Sequence, residues 1–141
     1  MSSTTITVEA SEPAVNDVIH AGLRAFNRDM ADWPERQYFN VVLRDAAGRV
    51  RGGLLASLSS DVLRIDDLFI EEAFRRRGCG EKLVAMAEAE GHRRGARLAC
   101  VMTFSFQARP FYEKLGYDMF AELPYQGGAH TLYWLKKLLC A

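Results

Sequence analysis

The run Leu98-Ala99-Cys100-Val101-Met102 carries no charged side chain and no break, the mark of a strand covered on both faces of a sheet. Ahead of it, Leu83, Val84 and Ala87 recur at helical spacing between Gly80 and Gly91, which makes an amphipathic helix. His92, Arg93 and Arg94 fall in its last turn, where cations suit the helix dipole. Ahead of the helix, Val62 to Ile70 reads as a further strand. Strand, helix and buried strand form a crossover unit, which is parallel and right-handed. That unit commits the chain to an α/β architecture.

The remaining segments arrange themselves around it. Val15, Val18, Ile19, Gly22, Leu23, Phe26 and Met30 share one face of a helix from Pro13 to about Met30. Ser11 is its expected N-cap and Pro13 is tolerated in its first turn. Trp33-Pro34 stops it, because the residue before proline is pushed out of the helical region. Ile6-Thr7-Val8 alternates like a short strand. Tyr38–Arg44 and Val50–Ser57, separated by Asp45-Ala46-Ala47-Gly48, read as a hairpin, and Ser59-Ser60-Asp61 turns the chain into Val62–Ile70. After Thr103, a short helix from Gln107 to Leu115 is closed by Gly116. Strands Tyr117–Leu123 and His130–Lys136 follow, joined through Gly127-Gly128. The expected fold is therefore mixed α/β (α+β), a central sheet of about seven strands flanked by helices.

The chain has 141 residues, no internal repeat and no low-complexity linker, so residues 1–141 are expected to form a single domain. Hydrophobic residues at 49% and charged residues at 26% suffice for a continuous core and exclude disorder. Eighteen basic and eighteen acidic residues cancel, so no overall field draws the chain to nucleic acid or to a membrane. Apolar runs fall short of the ~20 residues of a spanning helix, and the first residues lack the features of a secretory leader. A cytoplasmic location is expected. Cys79, Cys100 and Cys140 form no Cys-x-x-Cys pair, which points neither to a disulfide framework nor to a metal site.

Arg75-Arg76-Arg77-Gly78-Cys79-Gly80 lies between a strand and a helix. A glycine-rich loop entering a helix aims unpaired N–H groups and the positive dipole end at one point, where a phosphate is favoured. The arginines add charge-assisted bonds. No Gly-Lys-Ser/Thr follows, and Leu83 stands where a dinucleotide fingerprint needs its third glycine. On residues alone, the stretch also reads as a turn with a solvated patch. In Ala108-Arg109-Pro110-Phe111-Tyr112-Glu113-Lys114-Leu115-Gly116-Tyr117, spacing alone makes Phe111 and Leu115 core residues and leaves Tyr112 structural or catalytic.

Taken together and in this order, Arg75-x-x-Gly78-x-Gly80 and Phe111-Tyr112-Glu113-Lys114-Leu115-Gly116-Tyr117 resemble the two signature motifs of the GNAT superfamily of acetyl-CoA-dependent N-acetyltransferases. The resemblance extends over nearly the whole chain, since the order of strands and helices is similar as well. It implies that Arg75, Arg76, Gly78, Cys79, Gly80 and Glu81 surround the pyrophosphate of acetyl-CoA. It further implies that Leu68, Phe69 and Ile70 pair through main-chain groups with the pantetheine arm, as a sheet edge pairs with an added strand. One of those N–H groups would polarise the thioester carbonyl. Tyr112 falls at the family's general-acid position, which protonates the departing thiolate. An unperturbed phenol, with a pKa of ~10, keeps its proton at neutral pH.

The acceptor amine must lose a proton, and Asp66 and Asp67 interrupt an otherwise apolar strand, where adjacent carboxylates are costly unless paired or solvated in a cleft. Alternation would put them on opposite faces, Asp66 with Arg64 and Leu68, Asp67 with Ile65 and Phe69. Ile65-Asp66-Asp67-Leu68-Phe69-Ile70 resembles the Glu-Asp-Phe-Phe-Val pattern of the diamine acetyltransferases. That resemblance implies Asp66 as the base and Asp67 as the ion-pair partner of the amine. A salt bridge from Asp66 to Arg64 is the competing reading. Two positions depart from the family pattern: Ser105 stands where an Asn contacts the pantetheine region, and Asp66 replaces a longer Glu.

Tyr38, Trp33 and Tyr125 are candidates to line an acceptor cleft or to pack the core, and His130 to contact substrate or to lie at the surface. Cys79 is open to oxidation without being catalytic. The resemblance implies transfer to an amine; a small-molecule acceptor is preferred, because one compact domain leaves limited space for docking a protein, and no metal is expected. An acyl-CoA-binding sensor and a protein lysine or N-terminal acetyltransferase are the alternatives. Exposed terminal strands could support a homodimer.

Overall fold

A computed structural model describes residues 3–139; Cys140 lies outside them. The chain divides into two units, Met1–Glu35 and Arg36–Ala141. The first contains helix α1, Pro13–Ala31, with proline in its first turn as expected. Glu12 rather than Ser11 is the N-cap, and the Ser11 hydroxyl instead accepts a hydrogen bond from Asn16 Nδ2 at 3.3 Å. The helix ends one residue beyond the expected Met30, as Asp32 turns into the left-handed region at φ 50°. No residue of α1 is buried, for its own unit offers no second element against which to pack. Ile6-Thr7-Val8 is not a strand. Three alternating residues are a weak strand signal, and an isolated strand gains no ladder. The sheet accordingly has six strands rather than seven.

The second unit contains β1 (Gln37–Arg44), β2 (Val50–Ser59), β3 (Val62–Ile70), α2 (Cys79–Arg93), β4 (Leu98–Phe104), α3 (Arg109–Lys114), β5 (Asp118–Tyr125) and β6 (His130–Leu138). They form one sheet in the order β1-β2-β3-β4-β6-β5, in which β3 and β4 are parallel and every other neighbouring pair is antiparallel. The buried face of α2, made by Leu83, Val84 and Ala87, joins Leu54, Leu58, Leu63, Ile65 and Leu135 in one hydrophobic cluster. Helix α3 is shorter than expected at its start. There the Gln107 side chain accepts from the Phe104 N–H at 2.7 Å, and the Thr103 hydroxyl accepts from the Ala108 N–H at 3.1 Å. These bonds fold residues 104–108 into a tight turn before the helix begins.

Two irregularities shape the centre of the sheet. The parallel pairing of β3 with β4 runs from Val62↔Leu98 to Ile65↔Val101 and stops. Beyond it, β3 remains paired to β2 as far as Ile70↔Gly52, and β4 to β6 as far as Phe104↔Leu132. The two parallel strands therefore part like the arms of a V. At the same point Ala56 pairs with Ile65 but Leu55 pairs with Asp67, leaving Asp66 as the extra residue of a β-bulge. Strict alternation is broken there. Leu68 lies opposite the buried Leu54, on the core face with Ile65, while Asp67 lies opposite the exposed Leu55. The expected grouping of Asp66 with Leu68, and of Asp67 with Ile65, is corrected by this one-residue shift.

Gly52 holds β2 against the departing end of β3. A Cβ there would come within 2.6 Å of the Phe69 carbonyl oxygen and 2.9 Å of Ile70 Cα. Both atoms are backbone, so the strand itself would have to move. Gly52→Ala is expected to cost about 1–3 kcal/mol of stability, as overpacking does elsewhere. Denaturant unfolding should show a lower midpoint with an unchanged slope.

Candidate active site

The gap between β3 and β4 opens into a cavity of about 940 Å³ lined by Asp66, Asp67, Leu68, Phe69 and Ile70 from β3 and by Val101 to Phe104 from β4. Gly80 closes one end at the start of α2, and Phe111 and Tyr112 come from α3. Gly80 lets the start of α2 pack closely there, since a Cβ would stand 3.2 Å from two Phe111 ring carbons and 3.6 Å from Ile70 Cδ1, so the ring would have to shift.

At the α2 end, Gly78 is the N-cap at φ 75°, a left-handed conformation that suits glycine. No side chain caps the helix. None of the backbone N–H groups from Arg76 to Glu81 donates to a protein acceptor among the described residues; the first bond of this kind runs from Lys82 N–H to the Gly78 carbonyl at 3.2 Å. Arg76 also holds a left-handed φ of 61°. The result is a run of unclaimed donors at a positive dipole end, which is an anion site in chemical terms. Arg75 is turned inward. Its Nε donates to the Ile70 carbonyl at 2.7 Å, and its guanidinium lies 5.6 Å from the centre of the Phe69 ring.

Tyr112 is buried, and its ring meets Phe111 and Tyr117 edge to face at centroid distances of 5.0 and 5.7 Å. Burial pushes its phenol pKa up to about 12. No hydrogen bond to its hydroxyl is made among the described residues. Tyr117, five positions on, differs: its hydroxyl donates to Glu88 at 2.8 Å, and Lys137 holds the other Glu88 oxygen at 2.9 Å.

Asp66 and Asp67 are both exposed on the cavity wall. Asp66 makes a long ion pair with Arg64, at 3.8 Å, so the salt bridge and the cavity position coexist. Asp67 has no ion-pair partner within the described residues.

The structure thus brings Asp66, Asp67, Leu68, Phe69, Ile70, Arg75, Gly80 and Tyr112 to one cavity. Arg76, Gly78, Cys79 and Glu81 belong to the adjoining loop and first helical turn. The remaining candidates divide. Ser105 is engaged by β6, donating its N–H to the Thr131 carbonyl at 2.8 Å and accepting from the Thr131 N–H at 3.1 Å through its hydroxyl. Tyr38 sits exposed on β1 opposite Ser57, outside the cavity lining. Trp33 belongs to the N-terminal unit. Tyr125 lines the cavity, and His130 lies behind it, edge-on to Phe106 at 4.9 Å. Sequence reasoning did not single out Phe104, Phe106 and Trp134 as lining residues. The available signal was the position of Phe104-Ser105-Phe106 just past the carboxyl end of a parallel strand, where α/β sheets place their ligands.

A mixed sheet split at its parallel pair, with an anion-binding loop at one end and a buried tyrosine in the wall, defines a protein built to hold an extended ligand between two strands. The chain belongs to the acetyltransferase (GNAT) family, whose model matches residues 8–117. It is 28% identical to an acetyltransferase of Agrobacterium fabrum over 92% of this chain and 94% of that protein. It is 32% identical to blasticidin-S acetyltransferase of Streptomyces morookaense over 88% and 93%, respectively. Among solved structures, an acetyltransferase from Agrobacterium tumefaciens superposes with a TM-score of 0.88 at 26% identity, covering 96% of this chain and 99% of that one. An acetyltransferase from Bacillus cereus shares the fold with a TM-score of 0.83 at 24% identity, over 94% and 97%.

Proposed function

We propose that this acetyltransferase moves the acetyl group of acetyl-CoA directly to the nitrogen of a small-molecule amine. The observation that carries the reading is the pair of unmatched backbone edges, residues 66–70 of β3 and 102–104 of β4, facing each other across a cavity that Tyr112 lines. An amide-bearing arm entering that gap would find the sheet's own donors and acceptors, as an added strand does. The free N–H groups of residues 76–81 would receive the pyrophosphate. The relationship to blasticidin-S acetyltransferase supports a small molecule as acceptor.

In the transfer, the amine nitrogen bonds to the acetyl carbon and the carbon–sulfur bond breaks. Asp66, directly or through water, takes a proton from the amine, which Asp67 holds as an ion-pair partner. An N–H of residues 68–70 faces the developing charge on the acetyl oxygen, where preorganised donors act most strongly. Tyr112 gives its proton to the leaving sulfur. Because its phenol is raised to about 12, it remains a donor throughout the range in which a free amine is available.

Three measurements test these roles. Tyr112→Phe is expected to lower kcat about 10²–10⁴-fold while calorimetry finds acetyl-CoA binding little changed; weakened binding with unchanged kcat would remove the general-acid role. The pH profile of the unsubstituted enzyme should show no basic limb from Tyr112 below about pH 11, since loss of that proton begins only on approach to its raised pKa. For the base, Asp66→Asn should lower kcat about 10²–10⁴-fold, whereas Asp67→Asn should chiefly raise the amine KM. Kinetics indifferent to both substitutions assign deprotonation to solvent.

A further inference from the structure

Resting on that reading, we infer that the preferred acceptor is a cationic amine carrying a planar unsaturated ring, which stacks on an aromatic platform at the β4 end of the cavity. Phe104 and Phe106 lie nearly parallel, at 5.3 Å between centroids and 9° between planes. Tyr125 meets Phe104 edge-on at 5.1 Å and 89°, and His130 meets Phe106 edge-on at 4.9 Å and 76°. Two rings are thus braced by two more, drawn from the turn after β4 and from both ends of the β5–β6 connection.

Phe104, Phe106 and Tyr125 all line the cavity that also contains Asp66 and Asp67. Phe106 nevertheless leaves 64% of its surface exposed. Exposed in a cavity wall next to two other rings, it adds to a contiguous aromatic surface on which a flat ligand would gain apolar burial. The edge-to-face bracing makes the platform rigid before anything binds, so a flat partner loses little further freedom to order it. The carboxylates on the same cavity wall supply the complementary charge for an ammonium group. A purely aliphatic polyamine would use the acidic wall but leave the braced rings uncovered. An uncharged aromatic compound would do the reverse. The combination selects a flat ring and an amine in one molecule.

The test compares 2-phenylethylamine with 2-cyclohexylethylamine, which match in reach and charge and differ in the π face. Acetyl-CoA-dependent thiol release should give a kcat/KM about tenfold higher for the aromatic amine. In Phe106→Leu, and separately in Tyr125→Leu, that ratio should fall toward one, while the calorimetric Kd for acetyl-CoA confirms that each variant is folded. Equal kcat/KM for the two amines in the unsubstituted protein overturns the inference and leaves acetyl transfer standing. If neither amine supports thiol release, the transfer reading is what fails for this class. Calorimetry of both amines on the CoA-loaded protein then decides the platform separately: tighter binding of the aromatic amine upholds it, and equal or absent binding overturns it.

Discussion

Four residue pairs join β3 to β4, and the positioning of the site depends on their ending where they do. Were the parallel ladder to continue past Ile65 and Val101, there would be no cavity between these strands. Each strand is meanwhile held on its far side, β3 by β2 as far as Gly52 and β4 by β6 as far as Leu132. Buried backbone groups without partners are costly, yet here the sheet leaves them facing a shared space. The expense is tolerable only because the opening is wide enough for water or a ligand to enter. The bulge at Asp66 belongs to the same geometry. It bends β3 where the strands separate and sets Asp67 opposite Leu55, away from the core residues on either side of it.

The glycines and the arginine around this gap act on position rather than on chemistry. Gly52 allows β2 to approach the Phe69 carbonyl, and Gly80 allows the start of α2 to approach Phe111. Arg75 satisfies the Ile70 carbonyl at the strand end and covers Phe69. That bond leaves the unclaimed backbone N–H groups and the neighbouring arginines as the donors the loop could offer an anion. Backbone donors suit the task, since they are fixed by the helix and lose no side-chain freedom on binding.

Much of this was legible in the sequence because its causes are local. The buried run of β4, the amphipathic face of α2 and the glycines of the loop each declare themselves within a few residues, and together they order the crossover and the anion site. What escaped depends on partners distant in sequence. The bulge at Asp66 exists only in register with Leu55 and Ala56, so alternation along β3 alone misassigned the faces. The resemblance pointed to Ser105, but Thr131 of β6 engages both its N–H and its hydroxyl. The first strand was expected from Ile6-Thr7-Val8, and nothing in those three residues says whether a sheet edge will receive them. Phe104 and Phe106 read as ordinary apolar residues until Tyr125 and His130 arrive against them.

Tyr112 and Tyr117 show why burial alone does not make a phenol useful. Both are nearly inaccessible, both belong to the same short sequence motif, and their rings touch edge to face. Burial raises both pKa values, and the Glu88 carboxylate raises that of Tyr117 further. Tyr117 has already committed its proton to Glu88, which is itself tied to Lys137, so its hydroxyl fastens the chain between α3 and β5 to α2. Tyr112 keeps its proton without a protein acceptor and stands in the cavity wall. In the proposed transfer, a neutral donor of high pKa is a poor acid toward water but a good partner for a thiolate released into a cleft of low polarity, where the unshared charge is most costly. The difference between the two tyrosines lies in one carboxylate, Glu88, which α2 presents to the second ring and not to the first.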